Sequence, residues 1–123
     1  MKESRFRLTP LIATAALTFG CFSERQEVSG PIDNELCDST AGNVVKMRDL
    51  AFQPQNVTVA AGTEVTWVNC DAEGHTTTSD DPGWDSELLS RNQTFSVTFD
   101  DAGTFPYHCT PHAGFMRGSV TVQ

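Results

Sequence analysis

Cys109, His112 and Met116 stand at the spacing Cys-x2-His-x3-Met, which puts a thiol, an imidazole and a thioether within eight residues. Two of these are soft sulfur donors and one is a borderline nitrogen donor. A second imidazole would complete a His₂Cys set with a weak axial Met, the ligand set of copper sites that exchange single electrons. The chain holds three histidines, His75, His108 and His112. His108 directly precedes Cys109, and neighbours on a strand point to opposite faces. With Cys109 turned inward alongside Phe105 and Tyr107, His108 must face away. That leaves His75, in Gly74-His75-Thr76, as the second imidazole. Met47 lies in an apolar strand pattern and reads as core, so Met116 is the axial candidate. Alone, a buried Cys is ordinarily core filler and a loop His ordinarily a surface residue. It is the clustering of the donors in a short Gly-containing loop that favours ligation. Zinc suits the set less well, because thioether is a poor zinc ligand and structural zinc takes several thiolates or imidazoles.

The other three cysteines have different surroundings. Lys2, Arg5 and Arg7 followed by an apolar run from Leu8 to Phe19 read as a signal peptide over residues 1–20, too short to span a bilayer. Export would place the protein in an oxidising compartment, periplasmic or cell-envelope. Cys21 stands where exported bacterial proteins are acylated. Gly20 fits that pattern and Thr18-Phe19 departs from it, so lipid anchoring, ordinary cleavage and an uncleaved anchor all remain open. Cys37 and Cys70 are then the remaining pair and are expected to form a disulfide. By the loop-entropy argument such a link contributes about 3–4 kcal/mol.

Removing residues 1–20 takes away three basic side chains and one acidic, moving the net charge from −8 to −10. This balance argues against nucleic acid as a partner and for a self-repelling, monomeric protein that meets basic or neutral surfaces.

The elements that must position the donors are short strands. Residues 21–42 are polar, with Gly30 and Pro31, and read as a partly disordered linker until Cys37 ties it down. From Asn43 to Gln123 the apolar residues alternate. Val44-Val45-Lys46-Met47 continues as an extended segment through Leu50-Ala51-Phe52, then Val57 and Val59, Val65 and Trp67, Phe95, Val97 and Phe99, Phe105 and Tyr107, and Val120 and Val122 each share a face. Ala61-Gly62-Thr63, Asp80-Asp81-Pro82-Gly83 and Asp100-Asp101-Ala102-Gly103 are turns. No window supports a long amphipathic helix. The expected fold is all-β, a Greek-key β-sandwich of seven to eight strands over residues 43–123.

These residues resemble the cupredoxins, or type 1 blue copper proteins, of the plastocyanin/amicyanin/pseudoazurin group. The likeness runs through Gly62-Thr63-Glu64-Val65-Thr66-Trp67-Val68-Asn69, Gly74-His75-Thr76, Asp101 to His112, and Met116-Arg117-Gly118. It implies one type 1 copper ion bound by His75, Cys109, His112 and Met116. It also implies that electrons pass through His112 beneath an apolar surface supplied by Pro111, Ala113, Gly114 and Phe115, toward cytochrome or dehydrogenase partners. Two features depart from the family pattern. An Asn commonly follows the first His and links the ligand loops, and here Thr76 stands in its place. The His-to-Met spacing lies between the amicyanin-like and plastocyanin-like loops. Loop amides near Thr110 and His112 are the expected donors to the Cys109 sulfur.

Two other functions fit parts of this pattern. A copper enzyme could use His108 beside the copper Cys to reach a second metal, but such a centre needs several more imidazoles and only a homo-oligomer sharing His108 could supply them. A copper delivery or storage protein would carry open Met- or His-rich surfaces, and this chain has no such cluster. A Cys109–His108 nucleophile pair is disfavoured by their opposite faces. Electron transfer is the expectation the donor set favours.

Overall fold

In the computed structural model, residues 34–123 are described. The signal peptide of residues 1–20, the acylation candidate Cys21 and the first part of the expected linker lie outside them. Eight strands follow a short 3₁₀ helix (Glu35–Asp38): β1 (Val44–Arg48), β2 (Ala51–Gln53), β3 (Asn56–Val59), β4 (Thr63–Asn69), β5 (Thr78–Ser79), β6 (Thr94–Phe99), β7 (Gly103–His108) and β8 (Arg117–Val122). They form two four-stranded sheets, ordered β2-β1-β4-β6 and β3-β8-β7-β5. The β1–β4 and β3–β8 pairs are parallel and the others antiparallel. The fold is the expected all-β sandwich.

Alternation decides which side chains meet between the sheets. On β4, Val65 and Trp67 are wholly buried while Thr66 stays on the outer side. Val45, Met47, Val120 and Tyr107 join them, each aliphatic side chain contributing about 1.5–3 kcal/mol by leaving water. The aromatic rings meet edge to face, Trp67 on Tyr107 at 5.3 Å and Phe52 on Tyr107 at 4.6 Å between centroids. Across the β7–β8 pair Tyr107 faces Gly118. A β-carbon at Gly118 would lie 2.5 Å from the Gln55 carbonyl oxygen and 2.8 Å from Tyr107 Oη, so no larger residue fits there.

Two local features differ from the sequence expectation. The segment after Met47 does not run on as one strand but reverses at Asp49 and Leu50, whose φ values are 57° and 60°. Neither is the glycine or asparagine that normally takes this left-handed geometry. Their amides are held from outside the hairpin, by the two carboxylate oxygens of Asp71 at 2.8 and 3.0 Å. In the expected linker, residues 34–42 are anchored ahead of Asn43. Asn34 caps the 3₁₀ helix by accepting Leu36 N–H and donates two hydrogen bonds to Asn92, from its backbone N–H to Oδ1 and from its side-chain amide to the carbonyl oxygen. Cys37, the buried residue of that helix, forms the expected disulfide to Cys70 across a separation of 33 residues.

That bridge joins the helix to the end of β4, where the site begins. A Cys37→Ala/Cys70→Ala protein is expected to lose about 3–4 kcal/mol of stability. Urea denaturation of the copper-free form measures the loss, and wild type under strong thiol reductant should approach the same midpoint.

Candidate metal centre

Two loops at one end of the sandwich carry the donors. The first runs from the end of β4 to β5 and is fixed by its own polar groups. The wholly buried Asn69 side chain donates to the carbonyls of Glu73 and Leu89, at 2.8 Å each, and accepts from Asp71 N–H at 2.8 Å. His75 exchanges two backbone hydrogen bonds with Leu89, at 3.1 and 2.7 Å. Its ring is wholly buried, with Nε2 2.8 Å from Asp71 Oδ2. A carboxylate so close takes the Nε2 proton as a hydrogen bond and leaves Nδ1 as the lone-pair nitrogen. Burial alone would raise the Asp71 carboxyl. The amides of Leu50 and Asp49 and the His75 ring outweigh it, so the group sits below its ordinary 3.8.

The second loop joins β7 to β8. Cys109 closes it from both ends, donating its N–H to Met116 O (3.0 Å) and accepting at its carbonyl from His112 N–H (3.0 Å). Met116 N–H donates to His112 O at 2.9 Å, so Met116, wholly buried, is tied by its backbone to both other donors of the loop. Pro111 suits the first turn of the intervening 3₁₀ helix (Thr110–His112), where an amide donor has no partner to lose.

Between these loops Cys109 Sγ lies 3.7 Å from His75 Nδ1 and 3.5 Å from His112 Nδ1. The three ligand atoms fall within 4.8 Å of one another. One soft sulfur and two imidazole nitrogens converging on one point fit a copper ion, and Cys109 is the free cysteine among the described residues. His108 is on the opposite face of β7, where its Nδ1 meets Asp80 Oδ1 at 2.6 Å. Asp80 also takes Arg117 Nη2 at 2.8 Å. These partners, His108 foremost, hold the Asp80 carboxyl below its usual range. Pro111 and Gly114 are exposed, Ala113 half-buried, and Phe115 is 63% exposed with its ring 5.6 Å from that of the half-buried His112.

The loops are linked to each other by Thr76. Its hydroxyl oxygen accepts Thr110 N–H at 2.8 Å, so threonine makes the cross-link for which asparagine is the usual residue. Its amide donates to Cys109 Sγ at 3.4 Å. The sulfur's backbone donor therefore comes from the first loop, not from the amides near Thr110 and His112 that its own loop offers. Sequence reasoning also missed Asp71. The i, i+4 spacing from Asp71 to His75 was visible, but nothing local marked the pair as touching.

Residues 40–123 match the model of the copper-binding proteins of the plastocyanin/azurin family. The chain is 37% identical to amicyanin-alpha of Methylorubrum extorquens over 121 residues, covering 94% of this chain and 92% of that protein. It is 40% identical to the plastocyanin of Scenedesmus fuscus over 86 residues, covering 60% and 88%. Among solved structures, a reduced Cu(I) form of an amicyanin variant superposes with a TM-score of 0.63 at 32% identity, covering 76% of this chain and 92% of that one.

Thr76→Val should leave the Thr110 amide without its acceptor and cost about 1–3 kcal/mol in the copper-free protein. Thr76→Ser, which keeps the oxygen, should cost less than half of that; chemical denaturation of the two variants compares them. The matched family and the two-loop donor cluster agree on one assignment: the chain belongs to the plastocyanin/azurin family of copper-binding proteins, the cupredoxins, and its cofactor is a single copper ion.

Proposed function

We propose that the protein is an exported electron carrier, not an enzyme, in which His75, Cys109, His112 and Met116 hold the copper. The observation that carries this reading is the convergence of two Nδ1 atoms on Cys109 Sγ at 3.5–3.7 Å, held by loops tied into both sheets. When bound, copper supplies a one-electron Cu(II)/Cu(I) couple. The chain supplies a donor set that need not rearrange between the two states. Cys109 is the thiolate and accepts the Thr76 amide. His75 is fixed on its far side by Asp71. Met116 would supply the fourth, weaker donor, a thioether sulfur that tunes the potential.

His112 is the route in and out for electrons. It is the ligand imidazole that is not fully buried, and Pro111, Ala113, Gly114 and Phe115 surround it with apolar surface that a partner can dry on contact. Redox proteins of cytochrome or dehydrogenase type are the partners, met by a monomer. His108 takes no part in the site. With its ring turned to Asp80 on the far face of β7, it does not favour a shared second metal. Residues 1–20 direct the chain to the periplasm or cell envelope. Intact mass of the envelope-extracted protein checks their removal, and an added acyl mass would report a membrane tether at Cys21.

Addition of Cu(II) should give one copper per chain and an intense visible thiolate-to-copper band. Cys109→Ser should abolish the band and His108→Ala should leave it unchanged. Met116→Gln should keep the colour and lower the potential, because a harder axial donor favours Cu(II). A colourless wild type, or a bleached His108→Ala, contradicts the assignment. Phe115→Asp should leave the spectrum intact while slowing electron self-exchange, which line broadening in mixed-valence samples measures.

A further inference from the structure

We propose that Asp71 is a positioning residue for His75, and that its carboxylate, by holding the ring Nε2–H, sets the reduction potential of the site lower than a neutral acceptor would. The inference rests on the copper reading above. It starts from the surroundings of the carboxylate. The His75 ring is wholly buried, so no water competes for its Nε2, and Asp71 Oδ2 lies 2.8 Å from that atom. The Asp71 side chain is 12% exposed. It cannot swing away, because Oδ1 accepts Asp49 N–H and Oδ2 accepts Leu50 N–H. Its backbone is pinned by the Asn69 side chain, and the preceding residue, Cys70, is tied to Cys37.

An imidazole whose distal N–H is held by a carboxylate is a better donor through its other nitrogen. Greater donation stabilises the more highly charged Cu(II) over Cu(I), so the bond biases the couple toward the oxidised ion. The competing role is purely mechanical. Asp71 also clamps the β1–β2 reversal, where Asp49 and Leu50 hold left-handed backbone without being glycine. On that view the contact with His75 would be incidental and the potential indifferent to it.

Asp71→Asn and Asp71→Asn/Leu50→Gly separate the two. Glycine at position 50 relieves the left-handed strain at the bulkier of the two residues, so the turn depends less on the carboxylate. Potentials come from redox titration of the blue band. A tenfold greater loss of Cu(II) than of Cu(I) affinity, the lower end of the usual effect of such partners, corresponds to an upward shift of about 59 mV, and both variants are expected to show it. In the copper-free wild type, nitrogen-15 NMR should show His75 protonated at Nε2, with a solvent-protected proton whose resonance moves upfield in the variants, where a neutral amide oxygen replaces the carboxylate. A double variant with the wild-type potential overturns the proposal, whatever its stability. Should neither variant fold, the wild-type spectrum decides, and protonation at Nδ1 overturns it. Failure of the wild type to bind copper would remove the copper reading; a blue wild type with an unmoved double variant removes only the role of Asp71.

Discussion

The protein must keep a cysteine sulfur and two imidazole nitrogens within contact distance of one another before any metal arrives. Left to themselves, such side chains would turn to water. Here His75 and Cys109 cannot, because both are wholly buried and each is braced from behind. Asp71 braces the His75 ring, and the Thr76 amide meets the Cys109 sulfur. The rest of the fold follows from the need to bring two loops together. One leaves β4 in the first sheet and the other joins β7 to β8 in the second, so a sandwich is needed to bring their ends into contact.

The loops are rigid for separable reasons. Asn69 ties its own loop to itself through Asp71 and Glu73 and to the next connection through Leu89, and Cys109, His112 and Met116 close theirs through backbone hydrogen bonds. Thr76 then locks one to the other through Thr110. Below them Trp67, Tyr107 and Phe52 fill the core edge to face, and Gly118 gives Tyr107 its room. A pocket braced in this way would let its donors stay in place through a change of metal charge, which is what fast electron exchange requires.

Much of this was legible because it is local. Strand alternation exposed Val65 and Trp67 as inward and His108 as outward. The Cys-x2-His-x3-Met spacing needed no knowledge of the fold, and the cysteine count left Cys37 and Cys70 for each other. What was hidden depends on contacts far along the chain. The reversal at Asp49–Leu50 places a leucine in left-handed backbone, and its amides are satisfied by Asp71, 22 residues away from Asp49. The donor to Cys109 Sγ lies 33 residues back, at an amide that any residue type would carry. The exchange of threonine for asparagine at position 76 changes the residue and keeps the bond. Residues 34–42 have a polar composition, and besides the tie expected at Cys37, Asn34 anchors them through hydrogen bonds to Asn92 that nothing local announced.

The account stands or falls on a donor set that is the same in both oxidation states. X-ray absorption at the copper edge, on one sample oxidised and then reduced, tests this most directly. The structure predicts two nitrogen neighbours and one short sulfur neighbour in both spectra. Loss of a nitrogen on reduction, or the absence of the short sulfur when oxidised, would contradict it.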